Sequence, residues 1–153
     1  MTALRPVTRD HVGPLIRLKV APHQDGFVAP NAVSLAQAPY ETGAFPFAIC
    51  DGETPVGYLA LIDMRIHDFR EDGDDPNSAY LWRLMIGADH QKQGHATAAL
   101  VAACDWCTGR GLPRLFTSAV PENGVVRQFY QSQGFTETGR VTEGEVEYMR
   151  PIA

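Results

Sequence analysis

The sequence of 153 residues predicts an α/β (α+β) fold, in which helices cover both faces of a mixed, mostly antiparallel sheet of about seven strands. Two observations predict it. The strand-like and helical runs follow the order β-α-α-β-β-β-α-β-α-β-β, and the strand–helix–strand unit from Tyr80 to Val120 must be a parallel crossover. Because no repeat, linker or low-complexity segment divides the chain, we expect one domain spanning residues 1–153.

The first elements are a short strand and two helices. Residues 4–7 form the strand, and Thr8 is placed to cap the helix that follows. The apolar side chains of this helix recur at helical spacing, at Val12, Leu15, Ile16 and Val20. Asn31 is placed to cap a second, shorter helix that continues to Ala38 and is ended by Pro39.

A hairpin and a further strand occupy the middle of the chain. Residues 45–50 and 56–64 have strand patterns, and the turn-rich segment 51–55 between them predicts a hairpin. A long polar stretch, residues 65–77, then leads to an apolar strand at 80–86.

The last third begins with a helix at Gly94. This helix ends near Gly109 or Gly111, since Pro113 prevents its continuation. The remaining elements are a strand at 114–120, a helix at 122–133 that Gly134 stops, and a final pair of strands at 135–138 and 146–152.

The charge balance narrows the classes of partner. The chain has 13 basic and 18 acidic residues, so a nucleic-acid surface, which is normally basic, is not expected. A mildly acidic surface is compatible with a cationic acceptor such as an amine. There is no run of about 18 apolar residues and no apolar stretch of the signal-peptide kind, so we expect a cytoplasmic location and no membrane partner. The oligomeric state stays open, with a homodimer as one alternative.

The three cysteines raise the question of a metal or redox site. Cys104 and Cys107 form a Cys-x-x-Cys motif, but they fall inside a helical run, with no second pair and no histidine at ligand spacing. We therefore expect buried free thiols and no metal.

The most informative segment runs from Leu81 to Ala96, where an apolar strand gives way to a polar turn and then to an Ala-rich helix. Small residues at Gly94 and Ala96 leave the first N–H groups of this helix uncovered. These groups have no partner within the helix and the macrodipole is positive there, so the segment predicts a phosphate site. No Lys-Ser or Lys-Thr follows Gly94, and the single late glycine does not make a Rossmann turn, which excludes both of those phosphate loops.

Two motifs resemble those of a known family. Residues 91–96, Gln-x-x-Gly-x-Ala, resemble the Q/R-x-x-G-x-G/A pyrophosphate loop of the GNAT superfamily of acetyl-CoA-dependent N-acetyltransferases. Asn123 and the later run 129–135, Phe-Tyr-x-x-x-Gly-Phe, resemble the asparagine that starts the family's fourth helix and its F-Y-x-x-x-G-F ending. The resemblance covers nearly the whole chain. It implies the GNAT fold, in which the fourth and fifth strands splay apart and the pantetheine of the cofactor enters the gap.

The resemblance also implies the cofactor-binding residues, with acetyl-CoA as co-substrate and no metal. The backbones of Leu84 and Ile86, at the end of the fourth strand, are expected to pair with the pantetheine arm. Gln91 stands at the Q/R position of the family's loop. Lys92 and Gln93 stand where the family more commonly has Gly-Lys. Backbone N–H groups for the pyrophosphate are expected from Gln93, Gly94, His95, Ala96 and Thr97.

Tyr130 is the expected catalytic residue. Acetyl transfer to an amine expels a thiolate, and a phenol with a pKa of about 10 stays protonated at neutral pH and donates a proton to that sulfur. The resemblance places the general acid at this tyrosine. The alternative is an aromatic ring that packs in the core with Val126 and Phe129. Asn123 is expected to cap its helix and to touch the cofactor arm.

The group that deprotonates the amine stays open. The resemblance leads one to expect a glutamate on the fourth strand, but residues 80–83 contain no carboxylate. Ordered water leading to Asp63, Asp89 or Glu122 is the remaining route. Arg83 is expected to pair with a buried carboxylate or to bind an acidic part of the substrate.

The acceptor site is expected under the first two helices and their connection. Tyr80 and Trp82 share a face of the fourth strand and are placed to wall it. Segments within residues 20–36 resemble the bacterial diamine and polyamine acetyltransferase branch, which implies acceptor contacts from Gln24, Phe27, Val28 and Asn31. For the acidic run 71–75, a solvated hairpin tip is favoured over a polycation-binding role.

The sequence therefore predicts transfer of an acetyl group from acetyl-CoA to a primary amine of a small molecule, with a polyamine or diamine as the expected acceptor. Two alternatives stay open. One is a non-catalytic acyl-CoA-binding or regulatory module on the same fold. The other is an acetyltransferase for an amino acid, an antibiotic or a protein N-terminus.

Overall fold

One seven-stranded sheet organises residues 1–152, the part of the chain that the computed structural model describes. Its strands are β1 (Thr2–Pro6), β2 (Ala44–Asp51), β3 (Thr54–Asp63), β4 (Ala79–Ile86), β5 (Arg114–Ala119), β6 (Thr136–Thr142) and β7 (Glu145–Pro151). They lie in the order β1-β2-β3-β4-β5-β7-β6, and β4–β5 is the parallel pair among otherwise antiparallel neighbours. The predicted mixed sheet and its parallel crossover are confirmed.

Helices cover both faces of this sheet, as predicted. They are α1 (Arg9–Arg17), α2 (Asn31–Gln37), α3 (His95–Gly109) and α4 (Gly124–Ser132). On one face, Leu15 of α1 packs with Ala48 and Tyr58 in a smaller core. On the other face, Leu100 of α3 and Tyr130 of α4 belong to the larger core. None of the helices in residues 1–152 has both the length and the apolar character that a membrane crossing requires.

The first helix is shorter than predicted. Thr8 lies at its N-cap position, as expected, and its N–H donates to His11 Nδ1 over 3.0 Å. The helix stops at Arg17 instead of continuing to Val20, because the chain becomes extended and the Lys19 carbonyl accepts the N–H of residue 88, ahead of α3.

Asn31 does not cap the second helix. It is the first residue of α2, Pro30 occupies the cap position, and Asn31 Nδ2 donates to the Leu15 carbonyl over 2.8 Å. The side chain therefore ties α2 to α1. The fourth helix starts at Gly124, later than predicted, because Asn123 is its cap and accepts the Val126 N–H over 3.3 Å.

The last hairpin is longer than the sequence indicated. β6 continues to Thr142, and Glu143 and Gly144 form a two-residue turn with φ of 52° and 79°. Positive φ at both central residues is the geometry that matches the twist of a hairpin, and a glycine at the second position favours it.

A buried carboxylate ties the end of β3 to the end of α3. Asp63 is fully buried, and it accepts hydrogen bonds from Arg65 at 2.9 and 3.1 Å and from Arg110 at 3.1 Å. Burial alone would raise the pKa of Asp63, but the hydrogen bonds from the two guanidinium groups outweigh it and hold the pKa below its usual value.

We expect Asp63→Asn to lower the free energy of unfolding by about 1–3 kcal/mol, because hydrogen bonds to charged groups are lost. Since the folded pKa lies below the unfolded one, the contribution of Asp63 is present above the unfolded pKa of about 4 and is lost as the pH falls. Urea titrations at pH 7 and pH 3 measure both effects. The control is Asp51→Asn, whose ion pair with the N-terminus is exposed and should contribute less; equal losses from the two variants would contradict the assignment.

Candidate active site

The site is built around a gap between β4 and β5. These strands pair only at their beginnings, Ala79 with Leu115 and Tyr80 with Phe116. Thr117 Oγ1 then donates to the carbonyl of Leu81 over 3.1 Å, and no further ladder pair joins the two strands. The remaining length of β4 therefore has a free edge toward β5.

Backbone groups of β4 face this gap. The N–H of Gly87 donates to Val56 on β3 over 2.9 Å. Because bonded and non-bonded positions alternate in an antiparallel ladder, the N–H and C=O groups of Leu84 and Ile86 point away from β3. The Ile86 carbonyl already accepts a hydrogen bond from Gln91 Nε2 at 2.9 Å, so the pairing expected of Leu84 and Ile86 falls mainly to Leu84 and to the Ile86 N–H.

The start of α3 carries uncovered N–H groups. Gly94 is its N-cap residue with φ of +85°, and a Cβ at this position would meet no heavy atom within 4 Å. The first bond of the helix runs from the Ala98 N–H to the Gly94 carbonyl, so the N–H groups of residues 95–97 have no acceptor within the helix. The room over Gly94 and the positive helix end fit an anion such as a pyrophosphate.

The side chains of this loop face the protein or the solvent. His95 is buried, with Nδ1 at 2.8 Å from Thr2 Oγ1, so its side chain fastens α3 to β1. Gln91 exchanges hydrogen bonds with Gln24 at 2.8 and 3.3 Å, which fastens the loop to the connection between α1 and α2. Lys92 and Gln93 are exposed, and Lys92 has a positive φ of 62°.

Tyr130 lies on the inner side of α4. Its residue is 5% exposed and its ring packs against Phe129, Phe135 and Tyr148, with centroid separations of 5.4–6.1 Å. Burial raises the pKa of Tyr130 to about 12; the side chain of Thr117 opposes the rise, and Tyr80 and Glu145 add to it. The phenol is therefore protonated at neutral pH.

An acidic cavity of about 240 Å³ lies against β4, β5 and β7, beneath the connection between β3 and β4. Tyr80 and Trp82 line it, as predicted, together with Phe116 and Ser118 of β5. Seven carboxylates and a single guanidinium also line it: Glu41, Glu71, Asp74, Asp75, Glu143, Glu145 and Glu147, with Arg140.

The acidic run 71–75 is a solvated tip only in part, because residues 71–73 are exposed but Asp74 and Asp75 are half-buried. Asp75 forms an ion pair with Arg114, and Asp74 lies 2.7 Å from Arg140, which also contacts Glu147 at 3.3 Å. These pairs attach the connection to β5 and to the last two strands, and Asp74 and Asp75 line the cavity. The interpretation favoured from the sequence missed this, because residues far apart in sequence supply the arginines.

The residues assigned to the acceptor in the α1–α2 connection do not line the cavity. Gln24 contacts Gln91, and Phe27 is 37% exposed. Val28 packs against the smaller core, and Asn31 is 3% exposed behind α1.

The structure places the carboxylates that were expected to take up the amine proton away from the cavity, and it gives Arg83 other partners than the expected carboxylate. Asp63 is held by two arginines, and Asp89 and Glu122 are exposed and outside the cavity. Arg83 has no carboxylate within ion-pair distance among residues 1–152. Its partners are neutral: Ser34 Oγ at 3.1 Å, Gln37 Oε1 at 2.9 Å and the Trp82 carbonyl at 3.2 Å.

Sequence reasoning missed most of the cavity residues, among them Ser118, Glu145 and Glu147. A signal for them existed, because Glu145 and Glu147 alternate with Val146 and Tyr148 and so share one face of β7. Ser118 alternates in the same way with buried neighbours in β5.

The cysteines are buried free thiols, as expected. Burial raises the pKa of Cys107 to about 12, which leaves it unreactive at neutral pH. No cluster of three His, Cys, Asp or Glu side chains suited to a metal occurs in residues 1–152.

Comparison with known proteins identifies the family. The sequence profile described as "Acetyltransferase (GNAT) family" matches residues 16–135, more than two thirds of the chain. The chain belongs to the GNAT acetyltransferase family. It is therefore an acetyl-CoA-dependent N-acetyltransferase, and the gap, the uncovered helix start and Tyr130 lie within the matched residues. No curated protein matches the sequence closely enough to count as a relative.

Solved structures share the fold of this GNAT acetyltransferase. An acetyltransferase of the GNAT family from Staphylococcus aureus Mu50 aligns over 100% of both chains, with 13% identity and a TM-score of 0.72. The PaiA N-acetyltransferase from Thermoplasma acidophilum in complex with coenzyme A covers 99% of each chain, with 12% identity and a TM-score of 0.72. The aminoglycoside acetyltransferase AAC(6')-Ib in complex with coenzyme A covers 99% of this chain and 95% of its own, with 18% identity and a TM-score of 0.77.

Proposed function

We propose that this GNAT enzyme acetylates a primary amine of a small polycation, a polyamine or diamine, and that the acceptor binds in the acidic cavity. The observation that carries the proposal is the charge of that cavity, seven carboxylates against one guanidinium. Ammonium groups along a flexible chain would be held there by attraction that bulk water screens only in part. The resemblance of residues 20–36 to the polyamine branch supports the same acceptor class.

The cofactor is assigned to the other side of the gap. The uncovered N–H groups of residues 95–97 would hold the pyrophosphate, with Gly94 leaving room for it, and the free edge of β4 at Leu84 would pair with the amide-rich arm. Asn123 at the start of α4 is assigned a contact to the same arm. When bound, acetyl-CoA supplies an activated acyl group as a thioester.

The reaction proposed is direct attack of the amine on the thioester carbonyl. We assign the phenol of Tyr130, on α4, to the gap, and we assign the amine to the cavity that Tyr80 and Trp82 line. Tyr130 gives its proton to the departing sulfur, which avoids the release of a free thiolate. Coenzyme A and aminoglycoside complexes among the structural neighbours are consistent with a cationic amine acceptor.

Spermidine and a diamine are expected to outperform an amino acid and a peptide N-terminus as acceptors, because only the polycations can contact several carboxylates at once. Thiol release with a panel that also contains an aminoglycoside measures this, and mass spectrometry identifies the products. The KM for spermidine should rise with ionic strength, since the attraction is electrostatic. Turnover only with an amino acid or peptide would show that the polyamine assignment is wrong although the family assignment stands.

The same panel tests the non-catalytic alternative. An acyl-CoA-binding or regulatory module would bind acetyl-CoA and release no thiol above the hydrolytic background with any amine. We further propose that residues 1–153 act as one catalytic domain in the cytoplasm, an assignment supported by the composition and by the continuous sheet.

A further inference from the structure

A chain of three hydrogen-bonded groups lines the acidic cavity. Tyr80 Oη lies 2.6 Å from Ser118 Oγ, and Ser118 Oγ donates to Glu145 Oε1 over 3.1 Å. Because the single hydroxyl proton of Ser118 is directed to the carboxylate, the bond between the two hydroxyls is donated by Tyr80. The hydrogen bonds therefore run in one direction, from the phenol through the serine to the carboxylate, and no group within residues 1–152 donates a hydrogen bond to Tyr80 Oη.

Glu145 differs from the ion-paired carboxylates of the cavity. Asp74, Asp75 and Glu147 each contact an arginine, whereas no arginine or lysine lies within 4 Å of Glu145 among residues 1–152. Glu41, Glu71 and Glu143 also have no ion pair, but within residues 1–152 their side chains accept no hydrogen bond, whereas Glu145 accepts one from Ser118. A carboxylate without a guanidinium partner is better able to take up a proton than one that is ion-paired.

This hydrogen-bonded chain begins at Tyr80, where the pairing between β4 and β5 ends. Tyr80 belongs to the last ladder pair between β4 and β5, and Ser118 follows two residues beyond its partner, Phe116. Thr117, the neighbour of Ser118 on β5, donates to the Leu81 carbonyl at the same opening. The three groups thus stand on the cavity side of the gap at which Tyr130 is assigned to protonate sulfur.

We propose that this chain is the route by which the acceptor ammonium loses its proton, with Glu145 as the terminal proton acceptor. The inference rests on the proposed amine acetylation. One N–H bond of the ammonium breaks and its proton passes to Tyr80 Oη, the proton of Tyr80 passes to Ser118 Oγ, and that of Ser118 to Glu145 Oε1. Both hydroxyls are restored, Glu145 becomes a neutral acid, and the electron pair stays on nitrogen for attack on the thioester carbon. Glu145 then releases its proton to water in the cavity.

The roles within the chain differ. Tyr80 is the catalytic residue, since it contacts the amine, and Ser118 and Glu145 act through it. The other ionisable groups that line the cavity, besides Tyr80, are Glu41, His67, Glu71, Asp74, Asp75, Arg140, Glu143 and Glu147. Burial raises the pKa of Tyr80, so its phenol is neutral at pH 7 and does not act as a phenolate base.

The test is the pH dependence of kcat/KM with spermidine for Y80F, S118A and E145Q. Each variant is expected to lose about 10²-fold or more at pH 7, the usual contribution of acid–base catalysis. The loss should shrink about tenfold for each pH unit above 7, because deprotonated amine and hydroxide replace the route. Combining Y80F with E145Q should cost no more than either change alone, since the groups act as a unit.

The matched control is E147Q, which removes one negative charge from the same face of β7 without touching the chain. It should raise KM for the cation and leave a profile parallel to that of the wild type. Parallel profiles for all three chain variants, with normal melting temperatures and acetyl-CoA binding, would overturn the proton route while the wild-type turnover still supports amine acetylation. Absence of wild-type turnover with every amine would instead overturn the proposed function, and the proton route with it.

Discussion

Replacing Tyr130 with phenylalanine is expected to lower kcat by about 10²–10⁴-fold, the usual range for general acid catalysis. The substitution keeps the ring, which packs against Phe129, Phe135 and Tyr148, and removes only the hydroxyl. The packing and the start of α3 are unchanged, so acetyl-CoA affinity and stability should change little. The loss should appear in kcat, because the proton is needed in the transition state and not in the ground-state complex.

Tyr148→Phe is the matched control. Tyr148 is a second buried tyrosine in the same aromatic cluster, 6.1 Å from Tyr130, but its hydroxyl contacts Arg127 and Glu137 and not the gap. This variant should lose some stability and keep its kcat. The deficit of Tyr130→Phe should also shrink with an acyl donor whose leaving thiol is more acidic. A near-normal kcat for Tyr130→Phe, measured with a substrate whose chemical step is slow, would return Tyr130 to the core-packing role.

Local patterns were enough to predict most of the fold. The period-two strands, the glycine at the start of α3 and the crossover from β4 to β5 are all local signals, and each element they predict is present. The errors lie at element ends, where distant contacts decide. α1 stops at Arg17 because Lys19 is bonded to residue 88, and β6 extends because β7 pairs with it.

The two parts of the candidate site, the start of α3 and the acidic cavity, differ in how far the sequence could predict them. Gly94 and the N–H groups that follow it belong to one contiguous segment, so a motif could locate them. The cavity is assembled from Glu41, the 71–75 run, β5 and the last hairpin, which the sequence keeps up to 106 residues apart, from 41 to 147. The sequence alone does not tell whether these carboxylates point into the cavity or into solvent. The ion pairs of Asp75 with Arg114 and of Asp74 with Arg140 decide this for the 71–75 run.

The acceptor contacts expected in the α1–α2 connection show the same limit. The side chain of Gln24 accepts a hydrogen bond from the Ala21 N–H and exchanges two hydrogen bonds with Gln91, which lies ahead of α3. This contact fastens the connection to the segment before α3, which we assign to the cofactor. A polar residue near a site is therefore no guide to which substrate it serves until its own hydrogen bonds are known.

Gly94→Glu is expected to abolish acetyl-CoA binding. At present a Cβ at Gly94 would meet nothing within 4 Å, which is the space assigned to the pyrophosphate. A glutamate there would place bulk and a negative charge beside the N–H groups that the phosphates need, and its own carboxylate could occupy them. Acetyl-CoA at 100 times its Kd should stabilise the wild-type protein by about 2.7 kcal/mol through ligand linkage, seen as a rise in Tm, and the variant should show no rise.

Two controls separate the loss of binding from backbone strain. Gly94→Ala imposes the same strain at φ of +85° without charge, so it should lower the Tm of the free protein by a cost of about 1–2 kcal/mol and keep most of the ligand-induced rise. Gly139→Glu adds the same side chain at a similarly strained and open position, φ of +90°, on the edge strand β6. It should leave the rise intact, because it lies outside the phosphate loop. If acetyl-CoA raised the Tm of Gly94→Glu as much as that of the wild-type protein, the phosphates would bind elsewhere. The assigned path of the cofactor from Gly94 toward Leu84 and Tyr130 would then be wrong.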